Sequence, residues 1–132
     1  MTGNPDEPAV EPPAALAHLR HVPATTAVLP APTPKPTSRS GQHETTLAVW
    51  DSQAIATGVW ECEPGEFTAD RSQQTEICTV LSGSATVTGV GGEVAHVRSG
   101  SLLVLPAGWR GTWLIEETLR KTYVLIAAGS AL

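Results

Sequence analysis

From residue 44 onward, short runs of β-branched, aromatic and other apolar residues alternate with glycine, aspartate or proline. Such runs are typical of β-strands, and the residues between them are those that form turns. No stretch shows a helical repeat over about 11 residues. Frequent short strands are typical of sandwiches and barrels, so the sequence predicts an all-β domain. The runs are TTLAVW (45–50), AIATGVWEC (54–62), TEICTVLS (75–82), SATVTG (84–89), EVAHVR (93–98), SLLVLP (101–106), GTWLIE (111–116) and RKTYVLIA (120–127).

Glycine and proline mark the places where the predicted strands turn or end. The GVGG stretch (89–92) predicts a hairpin turn, because glycine reaches positive φ without steric cost. Gly83 stands between two predicted strands, where a tight turn needs an unusual backbone angle. Pro106 has no amide proton for a strand ladder, so it marks a strand end or edge, and Gly108 supplies the turn before the next strand.

The first third of the chain has a different composition. Nine of the 11 prolines lie before residue 37, and few large apolar side chains accompany them. Such a segment buries too little surface to offset the entropy of ordering it, and its prolines favour an extended path. It is a free tail, an arm lying on a partner subunit, or a ligand for a proline-recognising module. The predicted parts are a flexible Pro-rich arm (1–43), a barrel (44–128) and a short tail (129–132).

Charge and composition exclude several function classes. The chain has 132 residues, 41% of them apolar, and a formal net charge of −5, and its eight cationic side chains are scattered. We therefore expect one globular domain that binds neither nucleic acid nor an anionic membrane surface. The start, MTGNPDEPAVEP, lacks the features of a secretory signal, and no run reaches the roughly 18 apolar residues of a membrane span. We expect a cytoplasmic protein with reduced Cys62 and Cys78.

Several motifs follow one another in a fixed order and resemble those of the cupin superfamily. Glu76 and Gly83 match the end of the first cupin motif, and Gly100, Pro106 and Gly108 match the start of the second. The resemblance covers about residues 45–127 and implies a single small jelly-roll β-barrel. Three motifs, TGVWECEPG, GWRGTW (108–113) and LRKTYV, resemble more particularly the ethanolamine-utilisation-Q-like and ureidoglycine-aminohydrolase-like cupins. The motifs are TGVWECEPG (57–65), PGEF (64–67), TEICTVLSG (75–83), LPAGWRG (105–111) and LRKTYV (119–124).

Most characterised cupins hold a divalent metal through two histidines and a glutamate of the first motif and one histidine of the second. Here only Glu76 matches, and the position of the second-motif histidine falls on Gly111, which leaves space beside Trp113. A single carboxylate does not hold a transition metal tightly, so we predict no bound metal and no cofactor. Asp70 together with Glu76 would at most bind a hard cation weakly. The first-motif histidine positions fall on Asp70 and Ser72, or on Ala69 and Arg71 with one extra spacer residue.

Strand alternation predicts which side chains share the barrel interior. If Glu76 points inward, as the resemblance implies, then Cys78 and Val80 point inward too. The face of Gly111 likewise carries Trp113. Lys121 and Tyr123 share one face of the last predicted strand, and whether this face is the inner one is left open. A buried Glu76 has its pKa raised by desolvation and lowered again by a nearby Lys121, and either effect gives an acid–base group suited to catalysis.

These patterns lead to a predicted site and to three candidate functions. The first is a metal-independent, aromatic-lined pocket for a small molecule, which binds its ligand or acts as an isomerase, cyclase or lyase. The second is a non-enzymatic accessory or interaction protein, and the third is a metal-dependent hydrolase or oxygenase. We also expect a homodimer that packs sheets together or exchanges N-terminal strands. The predicted residues are Glu76, Lys121 and Tyr123 for catalysis, and Trp60, Asp70, Ser72, Cys78, Trp109 and Trp113 for ligand binding.

Each of these residues also has a purely structural interpretation. Glu76 is then a fold residue hydrogen-bonded across the barrel, and Lys121 pairs with Glu116 or Glu117 at the surface. The tryptophans are then core residues, because aromatic rings bury large areas, and Cys78 is an inert buried thiol.

Overall fold

The computed structural model describes residues 17–129, which form eight β-strands and no helix. The prediction of an all-β protein is therefore confirmed. The described residues therefore contain no helix that could span a membrane. The strands are β1 (Thr33–Pro34), β2 (His43–Asp51), β3 (Ile55–Cys62), β4 (Gly65–Asp70), β5 (Gln74–Gly89), β6 (Val94–Arg98), β7 (Leu102–Leu105) and β8 (Arg110–Ala127).

All strand pairs are antiparallel, and two long strands, β5 and β8, join the two halves of the sheet. The first part of β5 pairs with the last part of β8 and with β7, while β3 and then β2 continue from the other side of β8. The last part of β5 pairs with the first part of β8 and with β6, and β4 flanks β8 there. The two halves share β5 and β8 and enclose a common core.

The structure corrects the predicted turn at Gly83. The two runs predicted on either side of it are one strand, β5, whose pairing with β8 shifts register at Ser82 and again at Ser84. Gly83 has φ +85°, and a β-carbon there would collide with the carbonyl oxygens of Thr118 and Glu117. The strand therefore passes Gly83 in a bulge, which bends it without ending it.

The other boundaries differ from the prediction for related reasons. The runs 111–116 and 120–127 are parts of the single strand β8, because its paired residues continue through the charged stretch between them. Strands β1 and β4 were missed. The turn at 89–92 is confirmed, with the Gly92 amide donating to the Gly89 carbonyl over 2.9 Å. The strand end at Pro106 and the turn at Gly108, which has φ +98°, are also confirmed.

The core lies between the two halves of the sheet and follows the alternation of the strands. Alternate side chains are buried in β5 from Glu76 to Val80 and again from Ala85 to Gly89, and in β8 from Trp113 to Ile115 and again from Leu119 to Tyr123, whereas the side chains between them are partly or fully exposed. Burial of aliphatic side chains such as Ile115 and Leu119 contributes about 2 kcal/mol each. The buried apolar residues include Trp60, Cys62, Phe67, Cys78, Val80, Val87, Trp113, Ile115, Leu119 and Tyr123.

The segment before β2 lies along the barrel. Strand β1 pairs with β2, and the Thr45 hydroxyl donates to the Pro30 carbonyl over 2.6 Å. Arg120, on the outer face of β8, bonds Glu61 and donates to three carbonyl groups of the segment, at Ala24, Thr25 and Ala27. These contacts hold residues 24–42 across one mouth of the barrel. The division of the chain at residues 43 and 128 stays a prediction, and residues 1–16 and 130–132 lie outside the described part.

Candidate functional site

One cavity of about 480 Å³ opens between the barrel interior and the N-terminal segment. Strands β2, β3, β4, β5 and β8 contribute its inner wall, and the residues before β2 contribute its outer wall. The lining is Pro30, Ala31, Thr33, Lys35, Glu44, Thr45, Thr46, Trp60, Phe67, Arg71, Glu76, Trp113, Lys121, Tyr123 and Leu125.

A buried carboxylate bridged by two cationic side chains lies in the inner wall. Glu76 is 2% exposed, and its Oε2 accepts a 2.8 Å hydrogen bond from Lys121 Nζ. Its Oε1 accepts two contacts of 2.9 Å from Arg71, through Nε and through the terminal Nη2. Both carboxylate oxygens therefore have charged donors, which is the arrangement that makes burial of a charge tolerable.

These neighbours determine the ionisation state of Glu76. Burial favours the neutral acid and acts to raise its pKa, but the positive charges of Lys121 and Arg71 and the hydrogen bonds from both outweigh burial. The pKa of Glu76 therefore lies below its usual range. At neutral pH the group is a carboxylate, so it accepts protons or hydrogen bonds and does not donate them.

Two ammonium groups and three aromatic rings contact one another around the cavity. Lys121 Nζ lies 4.3 Å from the centroid of the Trp113 ring and 4.6 Å from that of Trp60. Lys35 Nζ lies 4.4 Å from Phe67 and 5.5 Å from Trp60. Phe67 in turn stacks on Trp113 and meets Trp60 edge-on, with 5.9 Å between centroids in both pairs. Each ammonium thus faces the electron-rich surfaces of two rings.

Glu44 fixes the second lysine and one of the tryptophans. A single oxygen, Glu44 Oε1, accepts hydrogen bonds from Lys35 Nζ and from the Trp60 indole nitrogen, both over 2.9 Å. The Lys35 side chain is 14% exposed. The N-terminal segment therefore contributes a cation to the cavity, in addition to covering it.

Tyr123 lines the cavity beside the Glu76–Lys121 pair. Burial raises the pKa of its phenol, and the negative charges of Asp51 and Glu76 raise it further. The phenol is therefore neutral at physiological pH and available as a donor. A β-carbon at Gly58 would press on the Tyr123 hydroxyl and on the backbone of β2, so the small residue in β3 makes room for this ring.

The structure brings five of the nine predicted site residues to this cavity: Glu76, Lys121, Tyr123, Trp60 and Trp113. It answers the open question about the last strand, because Lys121 and Tyr123 are buried on the inner face. The surface pairing of Lys121 with Glu116 or Glu117 is wrong, since its partner is Glu76. The functional roles of the five residues stay predictions.

The other four predicted residues lie elsewhere. Asp70 and Ser72 are exposed, and the Asp70 carboxylate accepts a hydrogen bond from the Ser72 amide in the turn after β4. Trp109 packs on the core beside Gly89 and Gly111. Cys78 is buried in the core, as is Cys62; burial raises the pKa of both thiols to about 11, so both are protonated and unreactive.

Three charged residues of the site were not predicted. For Arg71 a signal existed, because one spacing of the first cupin motif places an inward-facing position there. Glu44 lies one residue before the predicted strand 45–50. If that strand had been extended to residue 44, side-chain alternation would have placed Glu44 on the same face as Thr46. Lys35 had no signal, since it lies in a proline-rich stretch without periodicity.

The residues at the cupin metal positions do not fit a metal ion. Both oxygens of Glu76 face cations, which would repel a divalent metal. The space expected at Gly111 is filled, because the Trp109 ring and the Thr88 carbonyl oxygen lie where its β-carbon would stand. Among residues 17–129, no three His, Cys, Asp or Glu side chains are close enough together to share a metal.

This antiparallel β-barrel, with its cavity inside, has the fold of a cupin domain. The family model described as "EutQ-like cupin domain" matches residues 49–123, more than half of the chain. The chain therefore belongs to the EutQ-like cupin family, as its motifs predicted.

Solved structures with the same fold carry several different names. The EutQ protein of Clostridium difficile is 20% identical, with a TM-score of 0.62 over 74% of this chain and 78% of that one. The Schizosaccharomyces pombe Cnp3 cupin domain is 16% identical, with a TM-score of 0.58 over 64% of each chain. The ectoine synthase of P. lautus is 14% identical, with a TM-score of 0.59 over 63% of each chain. These likenesses show the fold alone, and no curated protein matches the chain.

Proposed function

We propose that the cavity is a metal-independent site for a small molecule, in which Glu76 and Lys121 act as an acid–base pair. The observation that carries the proposal is the direct 2.8 Å hydrogen bond between these two buried, oppositely charged groups in the wall of an aromatic-lined cavity. Pockets that bind small molecules are concave and mainly apolar, with a few polar groups that orient the ligand.

The pair is suited to moving a proton between two positions of one molecule. A substrate would lose a proton to the Glu76 carboxylate and gain one at another atom from the Lys121 ammonium. The proton on Glu76 would then pass to the neutral Lys121 amine along their hydrogen bond, which restores both groups. Tyr123 would donate a hydrogen bond to a substrate oxygen. This cycle needs no oxidant and matches isomerase, cyclase or lyase chemistry.

Arg71 and Trp60 would act as positioning residues for the pair. Arg71 holds the second Glu76 oxygen, so the carboxylate cannot rotate away from Lys121. Trp60 lies against Lys121 and is itself held by its hydrogen bond to Glu44. Both contacts keep the proton-transfer geometry in place before a ligand enters.

Metal content and fragment binding test the proposal. The purified full chain would be analysed for metals and then screened by ligand-observed NMR, with and without EDTA, against small acids, amides, alcohols and amines. We expect substoichiometric metal and the same bound fragments in both conditions. A stoichiometric metal whose removal abolishes binding would overturn the proposal, and so would the failure of every chemical class to bind.

A matched pair of variants tests the role of the carboxylate. Glu76→Gln removes the buried charge while keeping the shape, and Glu93→Gln makes the same change at an exposed position. We expect the first variant to lose at least about ten-fold in affinity for amides, alcohols and amines, since a lost charged hydrogen bond costs on the order of 1.5–3 kcal/mol. The second should bind like the wild type. Equal affinities in all three proteins would remove Glu76 from the site.

A further inference from the structure

Lys35 and Lys121 are the two lysines of the whole chain, and both reach the same cavity. Lysine side chains usually extend into water, because burial of an ammonium group is unfavourable. Here the side chains are only 14% and 6% exposed. The two come from opposite ends of the sequence, one from the N-terminal segment and one from β8, so the fold alone brings them together.

The charges that line the cavity have the opposite sign to the whole chain. Three cationic side chains, Lys35, Lys121 and Arg71, face two carboxylates, Glu44 and Glu76, which leaves a formal charge of +1. The net charge of the chain is −5. A cationic cavity in an otherwise acidic protein concentrates the field on small anions, and low-dielectric aromatic walls strengthen that effect.

The two ammonium groups also have hydrogen-bonding capacity in excess of their carboxylate partners. An ammonium has three N–H donors, and each lysine gives one to a carboxylate, Lys35 to Glu44 and Lys121 to Glu76. The remaining donors lie among ring faces, which attract a cation but are weak hydrogen-bond acceptors. Both nitrogens lie near the Trp60 ring, Lys35 Nζ at 5.5 Å and Lys121 Nζ at 4.6 Å from its centroid.

We infer that the ligand of this cavity is a small organic anion with one carboxylate group, bound between Lys35 and Lys121. Its charge balances the excess positive charge, and its oxygens accept from both ammonium groups. The aromatic rings would contact the apolar body of the molecule. This inference rests on the proposed function and adds the chemical class of the ligand and the role of Lys35 as a binding residue.

Pairs of carboxylates and their neutral amides test the charge requirement. Propionate and propionamide, crotonate and crotonamide, and benzoate and benzamide differ within each pair only in the charged group. Isothermal titration of the full chain should show at least one carboxylate that binds ten-fold or more tightly than its amide. If amides bind as well as their carboxylates, the inference is wrong while the pocket itself stands. If no carboxylate binds although other fragments do, the inference is equally wrong.

A matched pair of variants tests the role of Lys35. Lys35→Met removes the cation from the cavity, and Arg39→Met removes the same charge from a nearby exposed side chain that does not line it. We expect Lys35→Met to weaken carboxylate binding about ten-fold with no effect on amides, and Arg39→Met to bind like the wild type. Equal losses in both variants would show a general charge effect and overturn the inference.

Lysine labelling of the unaltered protein gives a second measurement in case Lys35→Met does not fold. With two lysines in the chain, mass spectrometry after mild acylation follows each amine separately. The carboxylate that binds should slow acylation of Lys35 at least five-fold, and its amide should not. Unchanged acylation of Lys35 in saturating carboxylate would place the anion elsewhere and refute the inference.

Discussion

The variant Lys121→Met removes the positive charge that pairs with Glu76 and keeps a side chain of similar length. The side chains of both partners are nearly inaccessible, at 6% and 2%, so little solvent screens their 2.8 Å contact. Removal of one member of a buried pair typically costs about 3–5 kcal/mol, because it leaves the other charge uncompensated. Arg71 still contacts Glu76 Oε1, so we expect the lower end, about 3 kcal/mol.

The pH dependence of stability distinguishes this charge effect from a packing defect. In the wild type the pKa of Glu76 is lowered by folding, so its contribution to stability is present above the ordinary carboxyl pKa and is lost as the pH falls. In the Lys121→Met variant burial still raises the pKa of Glu76, and Arg71 is left to lower it. The pKa of Glu76 is therefore higher in the variant than in the wild type. The stability that the wild type gains as the pH rises toward the ordinary glutamate pKa of about 4.3 should therefore shrink in the variant.

Urea denaturation followed by tryptophan fluorescence measures both quantities. The double variant Glu76→Gln/Lys121→Met should be more stable than Lys121→Met alone, because no carboxylate is left without its lysine partner. A Lys121→Met protein within about 0.5 kcal/mol of the wild type, with an unchanged pH profile, would refute the argument that this pair is buried and coupled. If the single variant does not fold, recovery of folding in the double variant gives the same information.

Three further predictions concern other parts of the molecule. Gly111→His should lower the free energy of unfolding by about 2 kcal/mol or more, because the Trp109 ring occupies the space that the imidazole needs. Titration calorimetry should detect no metal binding, and a tightly bound metal in this variant would contradict the reasoning. Cys62 and Cys78 should react with iodoacetamide at pH 8 at least roughly 100-fold more slowly in the folded than in the urea-unfolded protein, because pKa values of about 11 leave little thiolate; equal rates would exclude burial. Sedimentation should give a homodimer, with twice the chain mass of 13.8 kDa. Leu102 is 68% exposed on the outer face of the sheet, so Leu102→Lys should reduce the protein to the monomer. A wild-type monomer would refute the homodimer.

Local patterns predicted much of the inner wall of the site. Because side chains alternate along a strand, placing Glu76 inward also placed Cys78 and Val80 inward, and all three are buried. The same rule paired Lys121 with Tyr123 on one face but could not choose the face. That choice depends on which side of β8 meets the core, and only the pairing of β8 with β3 and β5 determines it.

Strand continuity was harder to predict than strand identity. A glycine between two apolar runs is compatible with a turn or with a bulge, and the sequence around Gly83 does not distinguish them. The carbonyl oxygens of the neighbouring strand crowd Gly83 in the folded protein, and these belong to residues more than thirty positions away. Such a contact leaves no periodic signal near the glycine itself.

The sequence by itself determined the all-β class, the turns at 89–92 and at Gly108, the cupin family and the absence of histidines at the family's metal positions. These properties depend on residue type and spacing, which short-range sterics and strand alternation translate directly into structure. The tertiary structure alone decided that Lys35 and Lys121 line one cavity, that Arg71 bonds the second oxygen of Glu76, and that the Trp109 ring fills the space at Gly111. Lys35 and Lys121 belong to distant segments, whose proximity depends on how the whole sheet closes. Arg71 and Trp109 are close in sequence to Glu76 and Gly111, and there the packing of the folded barrel decides where the side chains point.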